Sequence, residues 1–307
     1  MKFTFPMPHL MELTAMTQPW EFEVDGPTQL GLAKRAEELG YDMIGVPEHF
    51  AIPPDQIEQS GKFWFHSVVA QAALAGATRK IRLNTSVTIL PFQNPIVMAK
   101  ALATADWMSG GRITVTFGLG SMEKEYDYLG VPFRERGAIA DEYLEAMIAL
   151  WTQELPSFQG KYVKFQNVGF DPKPMQKPHL PIWIGGDSDA ALRRAARFGS
   201  GWIISYRTKP ADIPDRLDYL KTRPEWNERE FEVMFGLGTT RLTTGHAPSD
   251  DPRVRPGMPA QEIVDQLSWY AELGVTCTSV PIPRVRDAAG YLDYAQWVIE
   301  EIKPKIG

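Results

Sequence analysis

Short apolar runs alternate with amphipathic stretches along most of the chain. "KFTF" (Lys2–Phe5) reads as a strand. Thr28–Gly40 has the helical period, with Leu30, Ala33, Ala36 and Leu39 on one face and Gly40 as a natural stop. "DMIGV" (Asp42–Val46) is a second strand, and "FHSVVAQAALAGAT" an apolar helix. "IRLNTSVTIL" (Ile81–Leu90) is a third strand; Asn94 and Pro95 then open a helix as cap and first-turn proline. The remaining strands are "GGRITVTFGLG" (Gly110–Gly120), "PIWIGG", "GWIIS", "EFEVMFGLG" and "VTCTSVPI". Each is followed by a helical pattern, the last being "DAAGYLDYAQWVIEEI".

Eight strands, each followed by a helix, demand a parallel sheet and predict closure into a (β/α)8 TIM barrel with insertions, one domain spanning residues 1–307. A doubly wound open sheet is the alternative, but no glycine-rich dinucleotide fingerprint follows the first strand. Three segments exceed a minimal barrel: Pro6–Pro27, an insertion with a small hairpin at Glu154–Pro181, and Thr239–Pro259. The first and third follow strands, so they belong at the catalytic face, where long loops often act as lids.

Composition narrows the function classes. The net charge of −6 argues against nucleic acid or an anionic membrane as partner. No run approaches the roughly 20 apolar residues of a membrane span, and "MKFTFPMPHL" is no secretory signal. A single cysteine, Cys277, forms no internal disulfide and suits a reducing, cytoplasmic setting.

Barrel chemistry sits just after the strands. After the second strand, Pro47 ends the apolar run and Glu48 and His49 stand side by side, either a solvated loop or a site. After the fourth, Gly118 and Gly120 suit a tight turn or a close approach to a flat ligand or another loop. After the fifth, Gly185 and Gly186 lead to Asp187 and Ser188, either of which can cap the next helix. The first loop offers His9, Leu10, Met11, Leu13, Met16 and Trp20, an adaptable apolar wall for a small-molecule substrate or simple loop anchoring. His66 reads as structural, and Cys277 as a small buried hydrophobe. No His-x-His or His-Glu-x-x-His occurs, so no metal site is expected. No lysine sits inside the later strands, where a Schiff-base aldolase would want one, and no Gly-x-Ser-x-Gly elbow is present.

Several segments carry a family resemblance: "AKRAEELGYDMIGVPEHF", "LAGATRKIRLNTSVTILPFQNPIVMAKALATADWMSGGRITVTFGLG", "YLGVPFRERG", "DEYLEAMIALW", "FQGKYVKFQNVGFDPKPMQKPHLPIWIGG" and "ALRRAARFGSGW". From Met1 to Trp202 the chain resembles the bacterial luciferase-like superfamily of flavin and deazaflavin oxidoreductases, and within it the coenzyme F420-dependent branch. The resemblance implies that His49 is the catalytic histidine beside a redox ring and that Glu48 stands where many members have an acid. It implies a non-proline cis peptide at Ser86–Val87 against that ring. Phe117, Gly118 and Gly120 match the strand end lining the ring, and Gly185 and Gly186 the segment approaching the cofactor's phosphate. One position departs: sugar-phosphate dehydrogenases of this group carry an acid where this chain has Ser121. Their substrate is therefore not expected here; an apolar one facing His9, Met11 and Trp20 is.

The implied activity is hydride transfer between coenzyme F420 and an alcohol, carbonyl or activated alkene. The alternative is an FMN-dependent monooxygenase that uses oxygen and reduced flavin from a partner reductase. A non-catalytic flavin- or deazaflavin-binding protein is the third reading. Relatives pair through early helices, so "VVAQAALAGA" is a candidate homodimer face.

Overall fold

A computed structural model describes residues 1–13, 16–205, 207–237 and 258–306. Its strands are β1 (Lys2–Phe5), β2 (Met43–Val46), β3 (Arg82–Thr85), β4 (Thr88–Ile89), β5 (Ile113–Gly118), β6 (Phe158–Gln159), β7 (Lys164–Phe165), β8 (Ile182–Gly185), β9 (Gly201–Ile203), β10 (Glu232–Met234) and β11 (Cys277–Thr278). The barrel runs β1-β2-β3-β5-β8-β9-β10-β11, all neighbours parallel. It closes where Lys2 pairs with Cys277 and Phe3 with Thr278. This is the expected (β/α)8 barrel.

The helices are α1 (Gly26–Leu39), α2 (Ile57–Ser60), α3 (Ser67–Ala77), α4 (Pro95–Ser109), α5 (Glu123–Tyr128), α6 (Arg136–Thr152), α7 (Asp189–Phe198), α8 (Ile213–Lys221), α9 (Ala260–Glu272) and α10 (Ala288–Trp297). Local chemistry sets their ends. Asp25 accepts from the Thr28 amide at the start of α1, and Gly40 closes it at φ 93°. Asn94 accepts from the amides of Ile96 and Val97 ahead of Pro95. At α7 it is Ser188 that caps. Asp187 instead accepts from the amide and hydroxyl of Ser205, tying together the loops after β8 and β9.

Two features of the mouth differ from the sequence pattern. The single apolar run Ile81–Leu90 is divided into β3 and β4 at Ser86–Val87, whose peptide is cis. Helices α2 and α5 are additional; with four and six largely polar residues, they carry no readable period. The expected insertion contains the antiparallel hairpin β6–β7.

Strand alternation sorts the core. Phe3, Ile44, Leu83, Ile113, Val115 and Ile184 belong to the main apolar core shared with the helices. Met43, Trp183 and Cys277 form a separate small cluster inside the barrel. The interior row also holds polar groups that satisfy one another. The Thr116 hydroxyl lies 3.0 Å from Asn84 Oδ1, and Arg82 donates to Thr114 at 2.9 Å. The core therefore sits between strands and helices, and the open volume lies at the strands' carboxyl ends. Among the described residues no helix is long and apolar enough to cross a membrane.

Candidate active site

A cavity of about 490 Å³ opens at that mouth. The first loop, the end of β2, the Ser86–Val87 junction, the turn after β5 and the segment after β11 all line it. His49 and Ser121 are shared with a second, more polar cavity that includes Asp55, Lys124 and Arg207.

His49 projects from the loop that Pro47 begins, its side chain 15% exposed. Its Nδ1 lies 2.8 Å from Oε2 of Glu125, a residue of α5 with no exposed surface. Oε1 of the same carboxylate accepts the amides of Phe50 (2.7 Å) and Ala51 (3.1 Å). Burial pushes the Glu125 carboxyl upward, but the hydrogen bond and charge of His49 and the two amides outweigh it. The group is held below the ordinary carboxylate range. The indole of Trp64 meets the imidazole edge-on, ring centres 4.6 Å apart. Glu125 and Trp64 were not candidates on sequence. Glu125 is one acid among several in "SMEKEYDY", and only the fold brings it 76 positions back to His49.

Glu48, the sequence neighbour of His49, turns the other way. Its Oε2 accepts from the Ser67 amide (3.0 Å) and hydroxyl (2.6 Å), and its Oε1 from the Ile89 amide (3.1 Å). The Thr88 hydroxyl lies 2.8 Å from that of Ser67 and extends the chain of bonds. Glu48 thus clamps the end of β2 to the first turn of α3 and to β4. Burial raises its pKa above the ordinary carboxylate value despite these donors. His66 Nδ1 is 3.6 Å away, beyond hydrogen-bond reach.

The glycines make room for Val87. A Cβ at Gly118 would stand 2.5 Å from Val87 Cγ2, and one at Gly185 2.8 Å from Cγ1. Gly120, at φ +67°, faces Ile89 and lines the cavity. Gly186 stands at φ +113°, and its carbonyl accepts the Trp202 indole N–H at 2.8 Å. The Phe117 ring lies in the main core, following the parity of Ile113 and Val115. The cavity wall is formed without Phe117, Gly118, Gly185 and Gly186, whereas Glu48, Ser86, Val87 and Gly120 contribute to it.

The first loop supplies the opposite wall. His9, Leu10, Met11, Leu13 and Met16 line it; Trp20 lies behind, its ring against Tyr291. His9 sits at φ 50°, its ring stacked on Phe63 at 4.3 Å. Its Nδ1 is 3.1 Å from the Val24 carbonyl oxygen, and its Nε2 is buried with no partner among the described residues. Gln18 fastens this loop to the one after β11, donating to the Pro283 carbonyl and accepting the Val285 amide. The third long segment, Thr239–Pro259, lies outside the described residues as far as position 257.

A closed parallel barrel whose mouth presents a carboxylate-held imidazole to an apolar cavity agrees with what the sequence matches. Residues 11–241 match the family described as luciferase-like monooxygenase. The chain belongs to that family. An uncharacterised protein of Mycobacterium tuberculosis is 31% identical over 287 residues, covering 87% of this chain and 92% of that one. The FMNH2-dependent dimethylsulfone monooxygenase of Pseudomonas putida is 33% identical over 170 residues, 54% of this chain and 46% of that enzyme. An F420-dependent secondary alcohol dehydrogenase, solved with an F420–acetone adduct, shares the fold at a TM-score of 0.72 and 17% identity. The alignment covers 91% of this chain and 94% of that one. Luciferase-like enzymes are oxidoreductases and monooxygenases, and both cofactors occur among these similar proteins.

Proposed function

We propose that this luciferase-like oxidoreductase transfers hydride between coenzyme F420 and a small, largely apolar alcohol, carbonyl compound or activated alkene. The observation that carries the reading is His49, which Glu125 holds at the edge of a cavity lined with Leu, Met and small residues. The residues at the mouth fit a flat ring. Gly45, Ser86, Val87 and Gly120 make a wall of small groups, and a Cβ at Gly45 would strike Ser86 Oγ at 2.6 Å. The volume lies within the range of about 300–1,000 Å³ usual for such sites.

F420 held against this wall of Gly45, Ser86, Val87 and Gly120 would supply or accept the hydride. Oxidation of an alcohol also frees a proton from its hydroxyl; His49 takes that proton as the carbonyl forms and returns it in the reverse direction. Leu10, Met11, Leu13 and Met16 exclude water and hold the apolar part of the substrate. The setting in this reading is cytoplasmic, which suits Cys277: burial first, and then Glu232, push its thiol up to about 12, far from reactive thiolate.

Titrating apo protein with each cofactor tests the reading. Saturable F420 binding, followed by substrate-dependent reduction or oxidation of the bound cofactor, is the expected result. Tight FMN binding with no F420 binding would sink it. The second reading, an FMN-dependent monooxygenase served by a reductase, is favoured by the matching stretch of the dimethylsulfone enzyme.

We also propose a homodimer. The outer face of α3 exposes Val69, Ala72, Ala73 and Gly76, and neighbouring α4 exposes Val97, Trp107 and Met108. This uncharged face suits a second copy. Sedimentation velocity is expected to show a dimer that the double substitution Val69→Glu, Ala73→Glu converts to folded monomer; a wild-type monomer at all concentrations would refute it.

A further inference from the structure

We propose that Glu125 is the positioning residue for His49, fixing both the plane of the imidazole and its neutral tautomer so that Nε2 is the atom that exchanges the proton. This rests on the reading that His49 handles the substrate proton.

The geometry fixes which nitrogen of His49 faces the carboxylate. Glu125 is fully buried, and its two oxygens have three donors aimed at them, from Phe50, Ala51 and His49. Amide groups can only donate here, so the carboxylate serves as acceptor. An ionised carboxylate has no proton to offer the imidazole. The proton between Nδ1 and Oε2 therefore belongs to Nδ1, so that whenever the ring is neutral its bare lone pair is at Nε2. The same carboxylate holds the two residues that follow His49, so ring and loop are set together. Among the described residues no other carboxylate has this role: the oxygens of Glu48 are taken by Ser67 and Ile89, and Asp55 pairs with Lys124. On its other side the ring meets Trp64, which has no charge to compete. The rigidity is the point: a proton acceptor that must meet a substrate hydroxyl loses its effect with a small misplacement.

The experiment compares wild type with Glu125→Gln and Glu125→Asp. Imidazole-15N labelling reports the protonated nitrogen of each histidine without any cofactor, and His49→Gln assigns the signal. The wild-type His49 is expected as the Nδ1–H tautomer. In Glu125→Gln the side-chain carbonyl still accepts from Phe50 and Ala51, so the fold persists. Its amide NH2 then faces Nδ1 and turns the ring toward the Nε2–H tautomer. In that variant kcat should fall about 10²-fold with KM little changed, and Glu125→Asp should recover part of the loss. Retention of the Nδ1–H tautomer with near wild-type kcat in Glu125→Gln would overturn the proposal. Failure of the F420 reading would appear in the cofactor titration and leave the nitrogen signals as they are.

Discussion

His49→Gln is expected to lower turnover by about 10²- to 10⁴-fold, the usual contribution of a positioned acid–base group, while cofactor affinity stays near that of the wild type. Glutamine is the informative substitution. Its amide N–H can still meet Oε2 of Glu125, so the buried carboxylate keeps a donor and the loop carrying Phe50 and Ala51 stays in place. Alanine would add two other losses, the packing against Trp64 and the donor to Glu125. What glutamine cannot do is exchange a proton at neutral pH. The loss should therefore fall on the chemical step, read as single-turnover hydride transfer, and hardly on binding, read by equilibrium titration. Turnover within a few-fold of wild type, at normal affinity, would mean that another group handles the proton.

Most of the architecture was legible in the sequence because barrel strands and their helices carry local periods. Alternation alone set Pro47, Glu48 and His49 at the carboxyl end of a strand, where the structure has them. The partner of His49 was not legible. An acid and an imidazole adjacent in sequence suggest a pair, yet consecutive residues beyond a strand point in different directions. Glu48 goes down to Ser67 and Ile89, and the imidazole is met by Glu125 from a helix too short to announce itself. The glycines show a second limit. A sequence marks where a Cβ is missing but not what occupies the space; at Gly118 and Gly185 the occupant is the isopropyl group of Val87. Phe117 illustrates the reverse. Its parity with Ile113 and Val115 puts its ring in the core, information that was present in the strand period all along.

Glu48→Ala should be the most destabilising single change at the mouth, by about 3–5 kcal/mol, the scale of losses from broken buried networks. Three donors converge on this carboxylate, and removing it strands the Ser67 and Ile89 amides together and leaves the Ser67 hydroxyl with Thr88 alone. Each buried donor left without a partner costs roughly 1–3 kcal/mol. Glu48→Gln should cost less, since one carbonyl oxygen can still accept from Ser67 while the NH2 group opposes Ile89. The pH dependence carries a sign that separates this residue from Glu125. Burial raises the folded pKa of Glu48 above its unfolded value, so the folded state binds the proton more tightly. Its contribution is then fullest below the ordinary carboxylate pKa and declines as pH rises toward the folded value. Glu125 has its folded pKa lowered, so its contribution is present above the ordinary value and is lost as pH falls through the folded one. Subtracting the Glu48→Ala unfolding free energy from that of the wild type cancels Glu125 and leaves Glu48. Urea unfolding at about pH 5 and about pH 7 should therefore give a larger difference at the lower pH. A difference that instead grows with pH would mean that the donors from Ser67 and Ile89 outweigh burial and hold Glu48 ionised in the fold.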